Sequence, residues 1–304
     1  MTTEDFVFVG VTTSSSAVTQ IFSDWCSILR VDWRLQLVDI PIGADAVRFS
    51  ALVDELRSDR VAGSLITSHK AALFEQCWSQ FDLLEPECFG LREIGVVYRR
   101  EGRLCGGVGD IRSCGLAMAE ILTEGQVASP PEAVILGAGG AGLAAAWNLA
   151  VLGETVERVT IVEADQARRH LVADLVLTWP RRASVRVVGT TTESGLADDT
   201  VRSAKPGSLI VNATGMGKDR VGSPVKDAGS FPANAIVWDF NYRGSLDFLE
   251  VARQTSRESD LHLHDGWDYF TAGWAVVMSK VAGEPWSDDV LVAFREAASR
   301  VFNK

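Results

Sequence analysis

Along the first third of the chain, apolar and polar positions change period in blocks. Phe6–Thr12, rich in Val and Phe, predicts a strand. Ala17–Leu29 predicts a helix. In Trp33–Ile40 the apolar residues Trp33, Leu35 and Leu37 fall at every second position, the period of a strand. Ala46–Arg57, with Val47, Leu52 and Leu56, predicts a second helix, and Gly63–Ile66 a short buried strand. Gly95–Cys105, with Glu101-Gly102 at its tip, predicts a β-hairpin, and Ile111–Leu122 a helix. Glu124-Gly-Gln-Val-Ala-Ser-Pro-Pro131 breaks both periods and marks a domain boundary. Beyond it, strands recur at Ala133–Leu136, Val159–Glu163, Val185–Val188, Leu209–Ala213 and Ile236–Phe240, with helix-forming stretches between most of them. That is the βαβ rhythm of a parallel, doubly wound sheet. From Ala272 the chain is helical, with Val276, Val277, Val281, Leu291, Val292, Phe294 and Val301 on apolar positions.

The strand at 133–136 runs into Gly137-Ala-Gly-Gly-Ala-Gly142, followed by the helical run Leu143–Leu152 and then the strand at 159–163. Gly137 permits a tight turn, Gly139 close approach of backbone N–H groups to a pyrophosphate, and Gly142 close packing of helix on strand. The helix N-terminus adds unpaired N–H groups and a positive dipole end. Ala138, Gly140 and Ala141 complete the loop. This context predicts a dinucleotide site; a glycine turn of purely structural purpose is the alternative.

The chain has 304 residues, 47% of them hydrophobic, enough for two domains with their own cores. A net charge of −11 disfavours nucleic acid as a partner, because such binding draws on Lys and Arg. No run of eighteen apolar residues suggests a membrane span, and the first residues lack a secretory pattern. The five cysteines, Cys26, Cys77, Cys88, Cys105 and Cys114, show no C-x-x-C spacing, as expected of reduced thiols in a cytoplasmic protein.

Six segments in register around the dinucleotide loop resemble the shikimate/quinate dehydrogenase family over nearly the whole chain. Ser64-Leu-Ile-Thr-Ser-His-Lys70 resembles its N-V-T-x-P-x-K segment, Val96–Leu104 its hairpin, and Gly106-Gly-Val-Gly-Asp110 its G-x-N-T-D motif. Val211-Asn-Ala-Thr-Gly-Met-Gly217 resembles its N-A-T-x-x-G-M loop, Asp239-Phe-Asn-Tyr242 its D-x-x-Y strand end, and Gly266–Gly283 its C-terminal helix motif. The resemblance implies an α/β fold. An N-terminal α/β substrate domain of residues 1–125, completed by helices of 266–304, joins a Rossmann-like doubly wound NAD(P)-binding domain of 126–265. It implies NAD(P)-dependent interconversion of a ring alcohol and a ketone of a small cyclic hydroxy acid, by a monomer or homodimer. It makes Lys70 and Asp110 the catalytic pair, since oxidising a secondary alcohol requires a group that takes the hydroxyl proton as hydride leaves. Each has a plainer alternative: a solvated lysine opening a helix, and an N-cap.

By the same resemblance, Ser14 and Ser16 form a carboxylate-binding loop, with N-capping by Ser16 the alternative. Tyr242 joins Ser64 and Gly273 at the substrate, and Asn212, Thr214 and Gly217 lie on the nicotinamide side. Here the chain departs from its relatives. Ser64 and Ile66 replace the asparagine and threonine of N-V-T, Gly95 another asparagine, and Gly273 a glutamine. Trp267, Tyr269, Phe270 and Trp274 raise the alternatives of an aromatic pocket or helix-packing core. Losing several hydroxyl-binding groups points away from shikimate as substrate. Glu163 at the end of its strand, with Asp165 two residues on, points to NAD through the ribose hydroxyls, while Arg168 and Arg169 keep NADP open.

Other readings are a dehydrogenase-like lyase or isomerase using the Lys/Asp pair with bound NAD, and a nucleotide-binding regulatory module. His262, His264 and Asp265 read as an ordinary strand, so no metal is expected. His69 reads as non-catalytic, and Cys114 as a helix-face residue without an activating base.

Overall fold

The computed structural model of the chain describes residues 3–125, 129–153, 156–190, 195–218, 220–255, 259–284 and 287–302. Residues 126–128, within the expected boundary segment, lie outside them. The chain forms two compact units, Met1–Arg112 with Thr271–Lys304, and Ser113–Phe270.

The first unit is built on a six-stranded sheet. Its strands are β1 (Glu4–Gly10), β2 (Trp33–Asp39), β3 (Val61–Ile66), β4 (Leu83–Leu84), β5 (Val96–Arg100) and β6 (Arg103–Gly107), in the order β2-β1-β3-β5-β6-β4. β1 and β3 are almost continuously buried, as strands covered on both faces are, whereas the edge strand β2 is half exposed and alternates. β5 runs antiparallel to both β3 and β6. The turn of the predicted hairpin places Glu101 at φ 53° and Gly102 at φ 74°, the two positive values a type I′ turn requires. Four helices punctuate this sheet: α1 (Val18–Leu29), α2 (Ala46–Leu56), α3 (Lys70–Cys77) and α4 (Pro86–Leu91). α5 (Asp110–Glu124) begins here and runs into the second unit. The predicted strands and helices are all found, with ends moved by one to three residues; β4, α3 and α4 are too short to show a period.

In the second unit β7 (Glu132–Leu136), β8 (Arg158–Glu163), β9 (Ser184–Gly189), β10 (Leu209–Asn212), β11 (Ile236–Asp239) and β12 (His262–His264) form one parallel sheet in the order β12-β11-β10-β7-β8-β9. Counted from β7, this is the doubly wound order 3-2-1-4-5-6, with its switch point between β7 and β10. The helices α6 (Gly140–Trp147), α7 (Gln166–Leu177), α8 (Leu196–Arg202) and α9 (Asp247–Arg253) alternate with the strands. The helix expected at Leu143–Leu152 is α6 followed by a π-helical turn over Asn148–Leu152. α8 and α9 pack Val201, Phe248, Leu249 and Ala252 against Ile210 and Val237 of the sheet.

α10 (Trp267–Ala282) and α11 (Asp288–Phe302) end the chain. Trp274 of α10 sits among Phe6 and Phe8 of β1 and Phe22 and Trp25 of α1, ring centroids 5.2–6.3 Å apart. Phe294 of α11 stacks on Trp25 at 4.9 Å, and the Trp25 indole N–H donates to the Phe294 carbonyl at 3.0 Å. The C-terminal helices thus complete the core of the first unit. For Trp274 this replaces the aromatic-pocket expectation: its ring is core.

Candidate active site

Parallel strands point their carboxyl ends to one edge of the sheet, and the first unit gathers polar side chains there. The backbone N–H and hydroxyl of Thr13 donate to Asp39 Oδ1, at 2.8 and 2.7 Å, joining the loop after β1 to the end of β2. Those bonds hold the Asp39 carboxyl below the usual carboxylate range. Thr67 donates through Oγ1 to the Val9 carbonyl at 2.9 Å, and three residues later Lys70 opens α3. Asp110 opens α5 after β6, and the Lys70 ammonium pairs with its Oδ2. Both side chains are about seven-eighths enclosed.

Burial works to lower the Lys70 pKa, but the charges of Asp110 and Glu93, with the hydrogen bond to Asp110, outweigh it, and the net shift is upward. Lys70 is therefore an ammonium at neutral pH. Glu93, 1% exposed, is a member of this site that no sequence motif marked; a charged residue entering a hairpin gives no hint of burial. A Cβ at Gly95 would lie 3.5 Å from the Lys70 stem, within ordinary van der Waals contact.

The other predicted substrate residues are distributed. Ser14 is exposed and Ser16 buried beside it. Ser16 does not cap α1: the N-cap is Ala17, with no side-chain hydrogen bond. Ser64 on β3 is fully enclosed, its hydroxyl without a partner among the described residues. Gly273 on α10 has nothing within 4 Å of where a Cβ would stand. Tyr242 belongs to the second unit, where its ring lies 4.3 Å from Phe270 and 5.7 Å from Trp267. His69 is buried with Nε2 2.8 Å from the Ile40 carbonyl oxygen, a packing role.

In the second unit a cleft of about 680 Å³ opens at the switch point, lined by Gly137, Gly139, Glu163, Thr190, Thr214 and Arg220 among others. Gly137 has φ +100°, and a Cβ there would lie 2.8 Å from the Ala213 carbonyl oxygen. A Cβ on Gly142 would collide with the Gly137 carbonyl, so the helix can approach the strand only as glycine. Gly139, the N-cap of α6, faces open space and offers no side-chain cap, which leaves the first N–H groups of α6 to a ligand. Gly140 and Ala141 begin that helix. The cradle fits a dinucleotide diphosphate.

Glu163 accepts from the N–H groups of Ala138 and Asp165, both at 2.9 Å, and ties β8 to the glycine loop. Asp165 caps α7 by accepting from the Arg168 N–H at 2.6 Å. The Arg168 Nε donates to the Ala138 carbonyl at 2.9 Å, and Arg169 to the Glu163 carbonyl at 3.1 Å. Asn212 is fully buried below the cleft and holds the loop of Thr214 and Gly217 from beneath. The cleft also takes Arg202, Arg220 and Lys226 from segments without a recognisable motif. His264 lies 3.5 Å from Glu124, and no cluster of metal-ligating residues occurs among the described residues. No helix is long and apolar enough to cross a membrane among those residues.

No family model matches the chain. A shikimate dehydrogenase (NADP(+)) of Symbiobacterium thermophilum is 30% identical over 239 residues, covering 75% of this chain and 78% of that protein. The shikimate 5-dehydrogenase of Thermus thermophilus, solved in complex with shikimate, matches at TM-score 0.72 and 24% identity, covering 99% of this chain and 100% of its own. The quinate dehydrogenase of Corynebacterium glutamicum, solved in complex with NAD, matches at TM-score 0.74 and 21% identity, covering 97% and 99%. The structural matches establish the two-domain α/β fold with its Rossmann-like unit. With sequence identity extending over most of both proteins, the chain belongs to the shikimate dehydrogenase family.

Proposed function

We propose that this NAD(P)-dependent oxidoreductase interconverts a ring alcohol and its ketone on a cyclic hydroxy acid other than shikimate, with Lys70 and Asp110 as the proton-relay pair. The Lys70–Asp110 contact, largely enclosed yet still touched by solvent at the carboxyl edge of the first sheet, carries the reading. A nicotinamide dinucleotide held at the glycine loop 137–142 would supply or take the hydride. Lys70 Nζ carries three donors, of which Asp110 takes one, leaving others for a substrate oxygen. In ketone reduction Nζ holds the proton that the new hydroxyl needs. In alcohol oxidation Nζ receives the hydroxyl proton after passing one of its own to Asp110 Oδ2. Asp110, and after it Glu93, favour the charged ammonium.

The departures at Ser64, Ile66, Gly95 and Gly273 support a substrate other than shikimate. Gly273 leaves space where relatives extend a glutamine, and the Ser64 hydroxyl is enclosed in the sheet. NAD is the preferred cofactor. Glu163 at the end of β8 repels a 2′-phosphate, and guanidinium nitrogens of both Arg168 and Arg169 already donate to backbone carbonyls. The relative from Symbiobacterium thermophilum carries NADP(+) in its name, and these residues support a different preference here.

Lys70→Ala tests the relay. Turnover should fall by about 10²–10⁴-fold, the scale of general acid–base groups, with NAD affinity unchanged. Turnover near that of the wild type would remove Lys70 from the mechanism.

A further inference from the structure

Asn212 and Asp239 are the last residues of β10 and β11 and pair directly in the parallel register. Both are fully buried. Asp239 Oδ1 accepts from the Asn212 side-chain amide at 3.1 Å and from the Asn241 N–H at 2.9 Å. Its Oδ2 is enclosed with no partner among the described residues. Asn212 uses its remaining hydrogen-bonding capacity on the loop that follows β10. Its Oδ1 accepts from the Thr214 N–H at 3.1 Å and the Thr214 hydroxyl at 2.7 Å, and its Nδ2 also donates to the Met216 carbonyl at 3.2 Å. Asn241 donates to the same carbonyl at 2.8 Å. Thr214 and Met216 line the cleft.

An amide can present either end to its neighbours, and a carboxylate accepts only. Asp239 therefore turns the Nδ2 of Asn212 toward β11 and its Oδ1 toward Thr214, which fixes the loop. We propose that Asp239 is a positioning residue for the dinucleotide, holding the loop 213–217 through Asn212 and Asn241 in the shape that receives the cofactor. This rests on the reading of the second unit as the NAD(P) site.

The grip depends on charge, because hydrogen bonds to an ionised acceptor are roughly twice as strong as neutral ones. Burial raises the Asp239 pKa to about 6, against the opposing pull of the amide bonds. Asp265, between β12 and α10, adds a like charge, while the partners on β10 and beyond β11 are the neutral amides Asn212 and Asn241. Cofactor affinity should accordingly weaken as the pH falls through 6.

The experiment is titration of the full chain with NAD and with NADP between pH 5.0 and 7.5, followed by tryptophan fluorescence, for the wild type, Asp239→Asn and Asp239→Leu. Asparagine preserves the Oδ1 acceptor and removes the charge; leucine removes both. The wild type should bind several-fold to about tenfold more weakly at pH 5.0 than at 7.5, with a midpoint near 6. Asp239→Asn should lose that inflection. Asp239→Leu should bind about tenfold more weakly throughout while keeping a native far-UV circular dichroism spectrum. If the leucine variant does not fold, the asparagine profile decides. A wild-type inflection that persists in Asp239→Asn, or a flat wild-type profile, would overturn the proposal while leaving the cofactor site standing. A wild type that binds neither dinucleotide at any pH would overturn the site assignment and the proposal with it.

Discussion

Burial drives both the ammonium of Lys70 and the carboxylate of Asp239 toward their neutral forms, and their neighbours decide the outcome. Lys70 faces Asp110 and Glu93 and stays charged. Asp239 faces two amides and the like charge of Asp265, and its pKa rises to about 6 from 3.8. A carboxyl group whose folded-state pKa is raised binds its proton more tightly folded than unfolded. Its contribution to stability is present at low pH and is lost as the pH rises from about 4 to about 6. Asp239→Asn lacks this titration. The stability of the wild type relative to the variant should thus decline between pH 4 and pH 7 by about 1–3 kcal/mol, since raising a pKa by one corresponds to ~1.4 kcal/mol. Urea unfolding of both proteins at the two pH values measures it, and a difference independent of pH would contradict the assignment. Stability at neutral pH is then lower than the fold could reach, a pattern common where function needs a charge.

At the scale of elements, aromatic rings join α10 to β1 and α1 and α11 to α1, and Trp274 is the hub of the α10 contact. Trp274→Ala would leave a cavity between β1, α1 and α10 and should cost about 3–5 kcal/mol, seen as a lower denaturation midpoint. A loss below about 1 kcal/mol would mean that the ring is not core. The sequence carried most of the elements because β1, β3 and the parallel strands of the second unit are written as apolar runs. It carried the glycine cradle because Gly137 and Gly142 are positions where a Cβ meets backbone. Burial in three dimensions was not legible. Trp274 looks the same in a helix whether it lines a pocket or a core, and Glu93 looks like a surface charge. Asn212 reads as a ligand contact until its side chain is seen to be taken up by Thr214, Met216 and Asp239. Arg220 and Lys226 reach the cleft from segments with no periodic signal.

At the scale of the molecule, each unit presents polar groups at the carboxyl ends of its parallel strands, the Lys70–Asp110 pair in one and the glycine-loop cleft in the other. With Glu163 at the end of β8, NAD should bind more tightly than NADP. Fluorescence titration, with nine tryptophans as reporters, distinguishes them; equal or tighter NADP binding would mean that Arg168 or Arg169 turns outward to the 2′-phosphate. By the family resemblance, Ser64, Gly95 and Gly273 would replace longer polar side chains that hold shikimate, and each lost hydrogen bond would cost ~1 kcal/mol or more. The most direct measurement is the initial rate of nicotinamide reduction with shikimate, quinate and a panel of other cyclic hydroxy acids, each with NAD and NADP. Turnover of at least one other ring alcohol is expected, with activity on shikimate about two orders of magnitude or more below that of a standard family member. Efficient shikimate turnover, at a kcat/KM above about 10⁴ M⁻¹s⁻¹, would contradict it.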